Sequence, residues 1–325
     1  MDRYSIAPAA DWIIVPPDGI PSAEEDTLPE APFYFLFADN QERVSAEGFE
    51  SYRHTVEHVL DASRLEDASL IVHELNALNE QLIIHHLRVI RDGTARDALE
   101  TGTIEVLQRE AELEQHITNR RYTISVSIDD LRVGDVIDYA ATEITRSGDH
   151  PLQGKYYHSR ILLSWGCPIR VQRIRIVNQS DTALTVQECR YRERRFSTSE
   201  RRVAAGDSFS MTQQDPPLLR IGDSAPLWFW PDHLLITTRA SWAELSAHMW
   251  SAYREQGALN DVLPAIDSLV GDTDDREQAL LAAIDFVQNG IRYKGEHHGM
   301  FTHMPRPAEE VLKRRSGDCK DKSNL

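Results

Sequence analysis

The 325-residue chain is 41% hydrophobic and 27% charged, with a formal net charge of −17. That length supports two ordinary domains and a sizeable core, while the acidic balance argues against nucleic acid or an anionic membrane as the main partner, since both demand a basic footprint. No apolar run approaches the ~20 residues of a membrane helix, the opening "MDRYSIAPAADWIIVPPDG" has no signal-peptide core, and Cys167, Cys189 and Cys319 are too few and too scattered for a disulfide framework or a zinc site.

Residues 1–48 read as an extended arm rich in Pro and acids, followed by a strand at "FYFLFADN". The arm is expected to lie on a domain, because Trp12, Ile13, Ile14 and Val15 need burial. Residues 49–225 read as a β domain. "LIIHHLRVIRDG" alternates and ends in Asp92-Gly93, a tight-turn signal. "YTISVSI" puts Ile124, Val126 and Ile128 on one face and Thr123, Ser125 and Ser127 on the other. "LRVGDVIDYAATEI", "IRVQRIRIVN" and "TVQECRYRERRF" follow. Many short strands with Gly and Asp turns suggest an antiparallel sandwich. "TIEVLQREAELEQH" fits a helix by propensity and a strand with a long turn by its neighbours. Cys167 and Cys189 could bridge in an oxidising compartment or stay two reduced thiols. His85 and His86 share an alternating strand, so at most one is expected to be buried, in a structural role. "PLWFWPDH", with Trp228 and Trp230, reads as a binding ledge or, better, a plug between domains.

Residues 226–325 change to a helical period. "SWAELSAHMWSAYREQ" opens with Ser241 and Glu244, a capping-box pair, and places Trp242, Leu245, Met249 and Ala252 on one face. "DTDDREQALLAAIDFVQNG" starts acidic, carries Leu280, Ile284 and Val287 as its stripe, and stops at Gly290. "RPAEEVLKRRSG" has Pro307 at its first position, Val311 and Leu312 inward, and Gly317 at its stop. The architecture expected is therefore α+β, a β-sandwich-like domain followed by a helical segment.

The chemistry concentrates in "RRSGDCKDKSNL". Asp318 can cap a new helix with Asp321 three positions later, which places Cys319 on the first turn. There, unpaired N–H groups and the helix dipole favour a thiolate, the form a cysteine nucleophile needs, and the same N–H groups could stabilise an oxyanion. A small buried cysteine beside a capping Asp fits the same spacing. Lys320 and Lys322 fit a solvated helix face, or a surface attracting an acidic substrate. His297, His298 and His303 fit solvated loop histidines. A metal site there is disfavoured because adjacent histidines point apart. No cofactor is expected.

"IRYKGEHHGMFTHMPRPAEEVLKRRSGDCKDKSNL" resembles the opening of a bacterial transglutaminase-like core. Ile291-Arg292-Tyr293, Arg306-Pro307-Ala308 and Gly317-Asp318-Cys319-Lys320-Asp321-Lys322 match that family's motifs in order. "IIHHLRVIRDG" and "LRVGDVIDY" resemble the uncharacterised domain that commonly precedes the core. The resemblance implies a papain-like Cys-His-Asp triad with Cys319 as nucleophile, a thioester route on a peptide or amide bond, a protein or peptide substrate, and frequent periplasmic or envelope location. It also implies that the His and Asp lie beyond the cysteine. The chain is then expected to be inactive by itself, as part of a longer protein or as a shortened one, with Pro307–Leu325 frayed or its apolar face covered by self-association or docking. The alternative is a non-catalytic β-sandwich binding module with a remnant core.

Overall fold

The computed structural model describes residues 3–15, 29–108, 117–118, 121–147, 157–192, 195–219, 231–238, 241–256, 264, 267–268, 271, 275–296 and 304–325. Contacts divide the chain into two units, residues 1–107 with 123–239 and residues 108–122 with 240–325. The protein is α+β and mostly β, with the strands concentrated in the first unit, as the periodicity led us to expect.

The first unit is built on one large sheet. Its strands are β1 (Tyr4–Ile6), β2 (Phe33–Ser45), β3 (Gly48–Val59), β4 (Leu70–Asn76), β5 (Glu80–Arg91), β6 (Thr94–Asp97) and β7 (Ile104–Gln108), with the short helix α1 (Leu65–Ala68) before β4. After β8 (Ile117–Thr118), which belongs to the second unit, come β9 (Arg121–Ser127), β10 (Val136–Arg146), β11 (His158–Leu162), β12 (Ile169–Gln179), β13 (Leu184–Arg192), β14 (Arg195–Val203), β15 (Ser208–Gln214) and β16 (His233–Thr237). The large sheet runs β1-β5-β10-β3-β2-β12-β15, with β6 on β5; β11-β16-β13-β14 and β4-β9-β7 form two smaller sheets. Most pairings are antiparallel; β1 with β5 and β12 with β2 are parallel.

Local sequence explains several of these elements. Asp92 and Gly93 both take positive φ and turn β5 into β6. On β9, Tyr122, Ile124 and Val126 are buried while Thr123 and Ser125 are half-buried. Gly48, at φ 138°, follows the β2–β3 turn, and a Cβ there would sit 2.0 Å from the Thr145 carbonyl oxygen. The segment read as helix or strand begins as strand β7, and residues 109–116 lie outside the described residues.

The two faces of the large sheet differ. One packs Val44, Ile174 and Ile176 against Leu163, Leu184, Val186, Leu234 and Ile236. At about 1.5–3 kcal/mol for each buried aliphatic side chain, this cluster stabilises the unit strongly. The other face joins a small apolar cluster of Ile13, Tyr52 and Ala140 to buried polar groups. Arg173 bonds both oxygens of the buried Asp39, at 2.9 and 2.6 Å. Gln41 accepts from the Ile14 N–H at 3.0 Å and donates to its carbonyl at 2.8 Å. Arg175 donates to the Trp12 carbonyl at 2.6 Å. The arm therefore lies on its own unit, held by side chains that grip its backbone and by Ile13 and Trp12 packing with Tyr52 and Ala140. Ile13 is buried, but Ile14 and Val15 stay 48% and 58% exposed, contrary to the expectation that all four apolar residues are buried.

The second unit contains α2 (Trp242–Gln256), α3 (Arg276–Asp285), a π-turn over Phe286–Gly290, β17 (Arg292–Tyr293), β18 (Gly295–Glu296), α4 (Ala308–Arg314), β19 (Ser316–Gly317) and α5 (Cys319–Asn324). Two starts follow the sequence signals. The Ser241 Oγ accepts from Glu244 N–H at 3.1 Å while Glu244 accepts from Ser241 N–H at 2.8 Å, and Asp275 caps α3. The apolar faces fare differently. Val311 is fully buried, but Trp242, Trp250, Leu280 and Ile284 are 87%, 67%, 60% and 42% exposed. Helical spacing marks a stripe but does not say what covers it. No helix among the described residues is long and apolar enough to cross a membrane.

Candidate functional site

The segment around Cys319 is assembled from three short pieces. Pro307 precedes α4 as its cap, rather than occupying its first turn. Arg315, not Gly317, takes the left-handed conformation that ends α4, at φ 52°. Ser316 and Gly317 then pair in parallel with Arg292 and Tyr293 of β17. Gly317 is required for another reason: a Cβ there would lie 2.6 Å from Asp321 Cβ and 2.9 Å from its Oδ2. The backbone passes directly over a buried carboxylate.

Asp318 and Asp321 form a full capping box. Asp318 accepts from the N–H groups of Lys320 at 2.9 Å and Asp321 at 3.2 Å, and Asp321 accepts from the Asp318 N–H at 3.1 Å. Asp321 also accepts from the Arg306 backbone at 2.7 Å and from its guanidinium at 2.8 Å. Arg306, Asp318 and Asp321 are all at least 98% buried. A buried ion pair of this kind fixes geometry more surely than it adds stability. Of the outcomes expected for Pro307–Leu325, frayed or covered, the structure has the segment ordered, while Ile284, one of the residues expected to lack cover, stays 42% exposed. Both helices form, Val311 is covered, and the box and the Arg306 pair hold the turn.

Cys319 is the first residue of α5, and it is exposed. The lysines on either side are engaged. Lys320 pairs with Asp318, and Lys322 donates to the carbonyls of Gln288 at 3.1 Å and Ile291 at 2.9 Å. They hold the turn, instead of forming a solvated or substrate-attracting face. Sequence reading named Cys319, Asp318 and Asp321 but gave Arg306 no role. Its position fifteen residues upstream left no local signal of the contact. His297, His298, His303, Trp228 and Trp230 lie outside the described residues.

The other thiols differ in setting. All three cysteines are free, so Cys167 and Cys189 are not bridged. Burial, reinforced by Glu57 and partly offset by Arg64, pushes the Cys167 thiol up to about 11. Burial likewise raises Cys189, which is 3% exposed.

These features define an α+β protein with a mainly β N-terminal unit and an exposed cysteine on a capped helical turn. Residues 46–216 match DUF3857, described as a domain of unknown function with solved structure. The chain belongs to this family, whose domain is found in transglutaminase-like proteins. The fold is similar to the crystal structure of a protein from Parabacteroides distasonis described as a "putative protease", with TM-score 0.66, 15% identity, and coverage of 90% of this chain and 57% of that one. The chain therefore spans little more than half the length of that protein. A comparison with yeast LTA4 hydrolase in complex with bestatin, at TM-score 0.26 and 11% identity over 62% of this chain and 32% of that one, carries no argument. No curated protein matches the chain.

Proposed function

We propose that this chain supplies the β domain and the nucleophile-bearing turn of a transglutaminase-like cysteine enzyme, with Cys319 as the nucleophile. The observation that carries the reading is the exposed thiol on a turn whose geometry is held by two buried carboxylates and a buried arginine. In the reaction proposed, the Cys319 thiolate attacks the carbonyl carbon of a peptide or side-chain amide. The C–N bond breaks, the amine leaves with a proton, and a thioester remains on Sγ. Water then releases a carboxylate, or an acceptor amine releases a new amide. The family resemblance assigns the proton transfers to a His and an orienting Asp C-terminal of the cysteine. The neighbouring fold and the family membership support this reading, and the complete activity belongs to the whole protein.

The test is to express the natural gene product and assay peptide-amide hydrolysis and amine transfer beside Cys319→Ala. Loss of turnover in the variant is expected. Equal rates in the two proteins contradict the proposal. A second reading, a binding module, draws on a cleft of 330 Å³ in the β unit, lined by charged groups such as Glu42, Arg53 and Arg160 and by Ile161, Leu162 and Trp165. Peptide binding that survives Cys319→Ala and fails in Arg53→Ala would favour it.

A further inference from the structure

The face of the large sheet that holds Asp39 and Gln41 carries a second constellation, remote in chemistry from the cysteine turn. His54 on β3 and His86 on β5 are both opposite Ala140 on β10, the strand between them. Asp138 is two residues earlier on β10 and so faces the same way. A register shift at Ala140/Ala141 leaves His85 as the extra residue of a bulge. His85 bonds Thr142 at 2.7 Å, while His86 turns to Asp138. His54 Nε2 and His86 Nε2 lie 2.7 and 2.8 Å from the same oxygen, Asp138 Oδ1. The three ligand atoms lie within 4.8 Å of one another.

The hydrogen bonds within the cluster leave one ring nitrogen without a partner. If both rings donate from Nε2, the Nδ1 of His54 becomes a bare acceptor, and it is buried with no hydrogen-bond partner. His54 is 4% exposed and Asp138 2%, so water does not readily make up the deficit.

We propose that His54, His86 and Asp138 form a three-ligand site for a divalent first-row transition-metal ion of the zinc class. Two imidazoles and one carboxylate suit such an ion; calcium and magnesium need more oxygens, and copper(I) prefers sulfur. Metal–ligand distances of about 2.0–2.2 Å in a tetrahedral site place ligand atoms roughly 3.3–3.5 Å apart. The two short contacts must therefore open by roughly 0.6 Å, a shift that side-chain rotation on neighbouring strands supplies. Binding moves each ring proton from Nε2 to Nδ1. Three protein ligands leave a fourth position for water. Arg88 Nη1, 3.7 Å from Asp138 Oδ2, leaves Oδ1 as the coordinating oxygen. Its charge, and the missing acceptor behind His54 Nδ1, make the site weaker than one with complete outer partners, by about 10–100-fold.

The test uses the full chain, stripped of metal and labelled with ¹⁵N-histidine, titrated with Zn²⁺ alone. One equivalent should convert the rings of His54 and His86 from the Nε2–H to the Nδ1–H form. His86→Gln, at the solvent-reached edge of the cluster, should weaken binding by at least ~100-fold. Arg88→Gln, a change at a half-exposed side chain, should tighten it by roughly threefold to tenfold. Rings of His54 and His86 that do not respond in the folded wild type overturn the proposal, even if Zn²⁺ binds other histidines. So does binding that stays at full strength in His86→Gln, or that weakens in Arg88→Gln.

Discussion

Replacing Gly317 by alanine tests whether the cysteine turn is held as described. The φ of Gly317 is not positive, so the backbone imposes no penalty by itself. The cost is steric. The new methyl would lie 2.6 Å from Asp321 Cβ, about 1 Å or more inside an ordinary carbon–carbon contact of about 3.5–4.0 Å. Asp321 cannot simply yield, because it accepts from Arg306 twice and from the Asp318 N–H. Overpacking of this kind costs about 1–3 kcal/mol, and loss of a capping interaction adds about 0.5–2 kcal/mol. A local destabilisation of about 1.5–5 kcal/mol is therefore expected for residues 316–325. Gly166→Ala is the control, since a Cβ there meets nothing within 4 Å. Amide exchange of residues 316–325, with urea denaturation alongside, reads the effect. Exchange should accelerate at least tenfold in Gly317→Ala and stay unchanged in Gly166→Ala. Equal exchange in both variants would refute the claim that close approach of Gly317 to Asp321 organises the turn.

Alkylation of the folded chain with iodoacetamide should reach the exposed Cys319 at least tenfold faster than Cys167 or Cys189, whose thiols burial pushes up; comparable rates, read by peptide mass spectrometry, contradict the assignment. Stability should fall on acidification in two stages. His58 and His85 have folded-state pKa values lowered by burial, so their contribution is full above the ordinary value of 6.5 and is lost as pH falls below it. Asp135 and Asp138 are held below the ordinary carboxylate value of 3.8 by hydrogen bonds that outweigh burial, so their contribution persists to lower pH and is lost below that value. Urea midpoints that are unchanged between pH 7.5 and 5 contradict the first stage.

What the sequence made legible was local. The Asp92-Gly93 turn, the alternation of β9 and the boxes at Ser241/Glu244 and Asp318/Asp321 each depend on residues a few positions apart, and each forms. What stayed hidden was long-range. The parallel pairing of β12 with β2 joins Val171 to Phe37, and no short-range signal distinguishes it from a hairpin partner. The bulge at His85 breaks an alternation that composition alone could not flag, and it brings His85 and His86 both onto bonds with β10. The Arg306–Asp321 pair crosses a helix and a turn. The exposed Trp242 and Leu280 show the limit of periodic patterns, which identify a face without its cover.

The most direct measurement of the central claim is intact-mass analysis of the natural gene product, quenched in acid during turnover of a glutamine-containing peptide. A Cys319 nucleophile predicts an adduct equal to the acyl portion of the peptide, mapped to Cys319, released by hydroxylamine and missing from Cys319→Ala. Turnover without any such adduct, or an adduct mapped to another residue, would contradict it.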